Sequence, residues 1–207
     1  MSWSWVDSRS AYADATTWFV DTAGLVGGRW SQPGLGEWDV RSLVGHTSRA
    51  LLTVESYLDR PAGQVDVESA LEYFRRGRRA ADDAAVAERG RAAGEALGTG
   101  SADVAEEVAA IADRVLARVE RCHGEEVVTT IAGGMRLVDY LPTRTFELVV
   151  HTADLATALG VPAEPPPRPA AQALDLLAGL AVQEGVAARV LRAATGREGL
   201  PAGFSVL

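Results

Sequence analysis

The chain contains no lysine and no asparagine, so all twenty of its basic residues are arginine. Without lysine there is no Schiff base to pyridoxal phosphate, no lysine nucleophile and no P-loop lysine, and those enzyme classes drop out. The bias itself is the kind GC-rich coding produces. A single cysteine, Cys122, cannot form an internal disulfide, which suits a reducing compartment. No apolar run reaches the ~18 residues needed to span a bilayer. The amino terminus, M-S-W-S-W-V-D, lacks a charged segment followed by an apolar core, so a cytoplasmic location is expected. Net charge is -8, and no basic amphipathic stretch is present, which argues against nucleic acid and membrane surfaces as partners. Also missing are a GxSxG elbow, a GxGxxG after a strand, an HExxH and a CxxC.

What is there suits one helical domain. With 207 residues, 47% of them hydrophobic, the chain can bury a sizeable core. Val6, Tyr12, Ala13, Thr16, Phe19, Val20 and Ala23 recur at helical spacing and predict a first helix from Trp5 to about Ala23. A glycine-rich loop with two tryptophans follows, and Asp39 is placed to cap a helix over Val40–Leu58. On that helix Gly45 allows close approach of another helix, and His46 lies at the edge of the apolar stripe. After Pro61 and Gly63, helices are expected over Val67–Phe74 and Arg79–Leu97, a turn over Gly98–Gly100, a cap at Ser101 and a strong helix over Val104–Val119. The adjacent Cys122 and His123 have no further ligands at zinc-site spacing and read as surface or packing residues. Val127–Ile131, A-G-G and Met135–Val138 predict a short β-hairpin, with Pro142 in the first turn of the next helix. The run V-P-A-E-P-P-P-R-P reads as an extended linker, and Ala170–Thr195 as one final amphipathic helix with Leu174, Leu177, Ala178, Ala181, Val190 and Leu191 on its apolar face. Residues 1–160 are thus expected to form a helical bundle, with the linker, last helix and tail of 161–207 packing on the same domain.

The chemistry is anchored in R-T-F-E-L-V-V-H-T-A-D-L-A-T-A-L-G, from Arg144 to Gly160. At about 100° per residue, Arg144, Glu147, His151 and Asp154 share roughly a quarter of the helix circumference, and apolar groups cover most of the rest. Glu147 and His151, at i and i+4, have Cβ atoms roughly 5–6 Å apart, so both can reach one metal ion, or the acid can orient the imidazole. A carboxylate in an apolar helix calls for a partner elsewhere. His46 on a facing helix would complete a set of two histidines and one glutamate, which is how helical bundles build metal sites with open coordination positions. Zinc, Ni2+ and Fe2+ all fit such ligands. The plainer reading, an intrahelical Glu147–His151 pair with His46 merely packed, stays open on spacing alone.

The segments W-D-V-R-S-L-V-G-H, G-G-M-R-L-V-D-Y-L-P-T-R-T-F-E-L-V-V-H-T-A-D-L-A-T-A-L-G and T-G-R-E-G-L-P-A-G-F resemble the metal-binding domain of mycothiol-dependent maleylpyruvate isomerases, within the DinB-like superfamily. The resemblance implies an all-α fold, a DinB-like four-helix bundle with extra helices and a short β-hairpin, and an actinobacterial source. It also implies a divalent metal held by His46, Glu147 and His151, with mycothiol as cosubstrate. Those isomerases carry a further carboxy-terminal domain that helps complete the active site, whereas here one helix and a tail are expected after the linker. The resemblance therefore implies thiol activation toward an electrophilic small molecule, by a transferase or isomerase-like enzyme, more than maleylpyruvate isomerisation. Asp154 would orient a ligand, and Arg144 would pair with these carboxylates or receive an anionic substrate, a plain helical salt bridge being the alternative for both. Two other functions remain: a non-catalytic metal-containing binding or regulatory module, and a bundle whose metal site has decayed. An exposed apolar helix leaves a homodimer open.

Overall fold

Ser4 starts the first helix by accepting the backbone N–H of Asp7 at 3.1 Å, and α1 (Trp5–Gly24) then buries Tyr12, Ala15, Phe19 and Ala23, while Val6 faces solvent. The structure, a computed structural model, describes residues 3–80, 83–98 and 101–207, excepting the side chains of 78–80, 83–87 and 101–103. Asp39 caps α2 (Val40–Leu58) as expected, its carboxylate accepting the Ser42 N–H at 2.8 Å.

The next helix begins later than its sequence pattern suggests. Val67 is fully buried but extended, its N–H donating to Gly134 O at 3.0 Å, and α3 (Ala70–Ala80) follows with Ser69 Oγ accepting the Glu72 N–H at 3.2 Å. The apolar residue belongs to a strand-like contact, not to the helix expected over Val67–Phe74. Then come α4 (Asp83–Ala96) and α5 (Ser101–Val119); of the helix expected over Arg79–Leu97, residues 79–80 lie in α3 and 83–96 in α4, while 81–82 lie outside the described residues. Gly98 has a φ of 103°; residues 99–100 of the expected turn lie outside the described residues, and Ser101 begins α5, its side chain, which the expected cap would need, also lying outside them.

The hairpin pairs β1 (Val127–Thr130) with β2 (Gly133–Arg136) in antiparallel register, Val128 opposite Met135. Its turn is Ile131–Ala132, and the two glycines expected there belong to β2. Gly134 is required by a close approach: a Cβ on it would lie 2.0 Å from Gln64 O. Val138 is helical, since α6 (Leu137–Leu159) starts immediately after the strand, and Pro142 therefore sits inside the helix, not in its first turn. Gly160, at φ 66°, closes α6 in the left-handed conformation.

Two expectations about the remaining chain are corrected. The proline run does not stay extended, because α7 (Pro167–Gln183) begins inside it; a proline at the first helical position lacks only a donor that would have no partner anyway. The single helix expected over Ala170–Thr195 is broken at Gly185, φ 70°, into α7 and α8 (Ala187–Ala194). α7 buries Gln172, Ala173, Leu176, Leu180 and Ala181, leaving Leu174 at 64% and Leu191 of α8 at 65% exposure.

Packing closes a ring in which α1 touches α6, α6 touches α2, α2 touches α5 and α5 touches α1. This is an all-α four-helix bundle with a two-stranded hairpin, eight helices in all among the described residues. Outside the ring, α4 packs on α2 and α7 on α6 and α1. No helix among the described residues is long and apolar enough to cross a membrane.

Candidate metal centre

Adjacency of α2 and α6 in the ring brings His46 to the polar stripe of α6. One ligand atom from each of His46, Glu147 and His151 lies within 4.8 Å of the others, and these residues could hold a metal ion. The His46 and His151 rings meet edge to face with centroids 4.7 Å apart. The intrahelical pair is also present: His151 Nε2 is 3.4 Å from Glu147 Oε2. His151 Nδ1 is 3.1 Å from Asp154 Oδ2. That contact holds a proton on Nδ1 and leaves Nε2 facing Glu147 and His46, the orientation a metal-ligating histidine needs. On the His46 side, Nδ1 is buried without a hydrogen-bond partner. A histidine with a buried, unpartnered ring nitrogen, packed edge to face on a second imidazole and within reach of a carboxylate, fits a cation site better than a closed polar network.

The electrostatics agree. Burial and the neighbouring His151 push His46 down to about 4, so its ring is neutral at neutral pH and keeps a lone pair for a ligand bond. Burial opposes ionisation of Glu147, yet the His151 hydrogen bond and the Arg144 charge outweigh it and bring the carboxyl to about 2. Burial likewise opposes charge on His151, but Asp154 and Glu147 raise it to about 9. The metal-free site therefore keeps a proton on the imidazole between the two carboxylates.

Arg144 is buried, at 9% exposure, and its guanidinium lies over two aromatic faces, 5.4 Å from the Tyr73 centroid and 5.2 Å from that of Tyr140. Its Nε donates to Thr143 Oγ1 at 3.0 Å. It forms no ion pair among the described residues, so the helical salt bridge weighed for it is not made, whereas Asp154 does pair with His151. Sequence reasoning missed Trp38. Its ring lies 4.5 Å from that of His46, and Gly90 of α4 leaves room for it, since a Cβ there would meet Trp38 Cζ2 at 2.9 Å. The eight-residue offset in W-D-V-R-S-L-V-G-H was its only trace. Cys122 and His123 stay apart from this cluster, the thiol donating to Arg118 O at 3.4 Å and His123 exposed.

A family model described as the mycothiol maleylpyruvate isomerase N-terminal domain matches residues 13–156, a span that includes all three candidate ligands and Asp154. No curated protein and no solved structure matches the chain.

Proposed function

The chain belongs to the mycothiol maleylpyruvate isomerase N-terminal domain family, and on that footing we propose that it is a thiol-activating enzyme whose His46, Glu147 and His151 hold a divalent ion, zinc in the first instance. The observation that carries the reading is the convergence of three ligand atoms within 4.8 Å from two helices far apart in sequence. A divalent ion in this set would keep open positions and lower the pKa of a bound thiol such as mycothiol, so that a thiolate meets an electrophilic substrate at neutral pH.

The protein's own groups have separable tasks in this reading. His46 supplies a neutral nitrogen, and Glu147 supplies the negative charge that favours a cation over an uncharged ligand. Asp154 fixes the His151 ring through Nδ1. Trp38 covers the outer side of the His46 ring and limits its rotation. Arg144, charged and without a carboxylate partner among the described residues, provides a fixed positive field beneath the site.

Elemental analysis of purified protein, paired with consumption of an electrophile in the presence of mycothiol, tests this. Stoichiometric metal and thiol-dependent turnover are expected, with both lost in His46→Ala and Glu147→Ala. Stoichiometric metal without thiol binding or turnover would instead establish a non-catalytic metal module, and absence of metal would remove the proposal.

A further inference from the structure

The acidic and basic groups of α2 are sorted onto different faces. Glu55 and Asp59 turn toward α5, where they meet Arg114 at 2.7 Å and Arg118 at 2.6 Å. Arg49, Thr53, Ser56 and Arg60 recur at i, i+4, i+7 and i+11 on another face and line a cavity of about 320 Å³ closed on one side by Ala93 of α4. Neither Arg49 nor Arg60 forms an ion pair among the described residues. Arg60 instead lies over the Tyr57 ring, 5.1 Å from its centroid, and donates to Ser56 Oγ at 2.6 Å, which leaves the Ser56 hydroxyl proton free to be donated. The floor is rigid: Thr53 Oγ1 donates to Arg49 O at 2.7 Å and accepts from Tyr140 OH at 3.1 Å.

In a protein of net charge -8 this pair of arginines stands out, because Arg49 is half-buried, Arg60 stands exposed at the mouth of the same cavity, and neither is neutralised by a carboxylate among the described residues. Burial, with Arg89 and Arg144 nearby, disfavours the charge of Arg49. A half-buried guanidinium with no counter-ion is destabilised unless an anion joins it, and a second, exposed guanidinium across the cavity adds to the attraction for one. Arg49 also follows His46 by three residues, so the two side chains are neighbours on the same helix.

We propose that this cavity is an oxoanion-binding subsite, with Arg49, Arg60 and Ser56 as donors, that seats the carboxylate or phosphate end of a small ligand whose other end faces the His46 ring. The subsite gives the electrophilic substrate of the preceding section its chemical class and to that extent rests on it, but its occupancy by an anion requires no metal.

Calorimetric titration of the full chain, stripped of metal, with inorganic phosphate and separately with malonate at constant ionic strength tests it. Saturable one-to-one binding of at least one anion is expected, and the tighter of the two indicates whether the natural ligand is a phosphate ester or a carboxylate. Arg49→Gln and Arg60→Ala should each weaken binding roughly ten- to a hundredfold, as loss of a charge-assisted hydrogen bond does. Arg192→Ala, whose side chain pairs with Glu198 in the carboxy-terminal region, should leave it unchanged. His46→Ala should lose metal yet still bind the anion, which separates this inference from the metal reading. No saturation with either anion, or equal binding by wild type and both variants at positions 49 and 60, overturns it.

Discussion

In the proposed metal site a proton and a divalent cation would compete for the same three side chains, and the charges of these groups set the pH dependence of the metal-free protein. His151, ordinarily near 6.5, is raised to about 9, so between those values the folded chain holds a proton that the unfolded chain has released. The stability this gives is complete below pH 6.5 and is lost as pH rises through 9. His46 is displaced the other way, to about 4, so its contribution is lost as pH falls from 6.5 through 4. Glu147, at about 2, adds stability present above about 4.5 and lost as pH falls through 2. The melting temperature of chelator-treated protein should therefore peak near pH 6.5, and His151→Ala should flatten the alkaline limb; a scan from pH 4 to 9 in which the variant and wild type fall in parallel would refute this. Metal binding at pH 7.5 should release about one proton, seen as a dependence of calorimetric enthalpy on the buffer's ionisation heat. Asp154→Asn, which removes the charge that holds the His151 proton, should weaken metal affinity roughly ten- to a hundredfold without unfolding the chain. The stripe Arg144, Glu147, His151, Asp154 was legible in the sequence because one helix carries it at a fixed angular step. Arg49 was not, since its charged neighbours Arg89 and Arg144 belong to α4 and α6, and Trp38 left only its place eight residues before His46, because the room for its ring is made by Gly90 of α4.

At the level of elements, the position of His46 depends on how closely α4 approaches α2. That approach is set by a pair of glycines: a Cβ on Gly45 would lie 2.1 Å from Gly94 N, and one on Gly94 would lie 2.8 Å from Arg41 O. These are backbone atoms, which cannot rotate away as a flexible side chain would. Gly45→Ala should therefore force the helices apart and destabilise the fold by about 1–3 kcal/mol or more, with loss of metal affinity because His46 is the next residue. Gly24→Ala is the matched control: at the last position of α1, with no atom within 4 Å of the added Cβ, it should be neutral or mildly stabilising. Chemical denaturation of the two variants distinguishes crowding from a general intolerance of alanine. The small residue at position 45 was readable as a helix contact, and the bounds of α2 were fixed in advance by Asp39 at one end and the apolar seam along its length. The start of α3 was not, because Val67 is buried by β2 and apolar character alone cannot tell a helix from an edge contact. The proline-rich stretch misled for a similar reason: three prolines exclude a helix interior but not a helix start, and which applies is decided by the packing of α7 on α6 and α1.

For the whole molecule, the triad joins two walls of one closed ring. His46 hangs from α2 and the other two groups from α6, so an ion between them ties segments separated by three helices and a hairpin in the chain. Binding confined to the folded state stabilises it by about 2.7 kcal/mol at a free ion concentration a hundred times the dissociation constant. For a chain of this length each kcal/mol moves the melting temperature by roughly 2–4 °C. Chelation should thus lower the midpoint by about 5–10 °C, and readdition of metal should restore it. Glu147→Gln keeps the shape of the side chain but removes its charge, so it should melt somewhat below the chelated wild type, having lost its ion-pair contribution as well, and no longer respond to either chelator or metal. If chelation leaves the wild-type midpoint where it was, the three side chains are only a buried polar contact between helices, and the thiol chemistry proposed for them has no ion to act through. A midpoint that falls equally in Glu147→Gln would place the responsive metal at some other site in the chain. Only a fall in the wild type with none in the variant assigns the stabilising ion to the junction of α2 and α6.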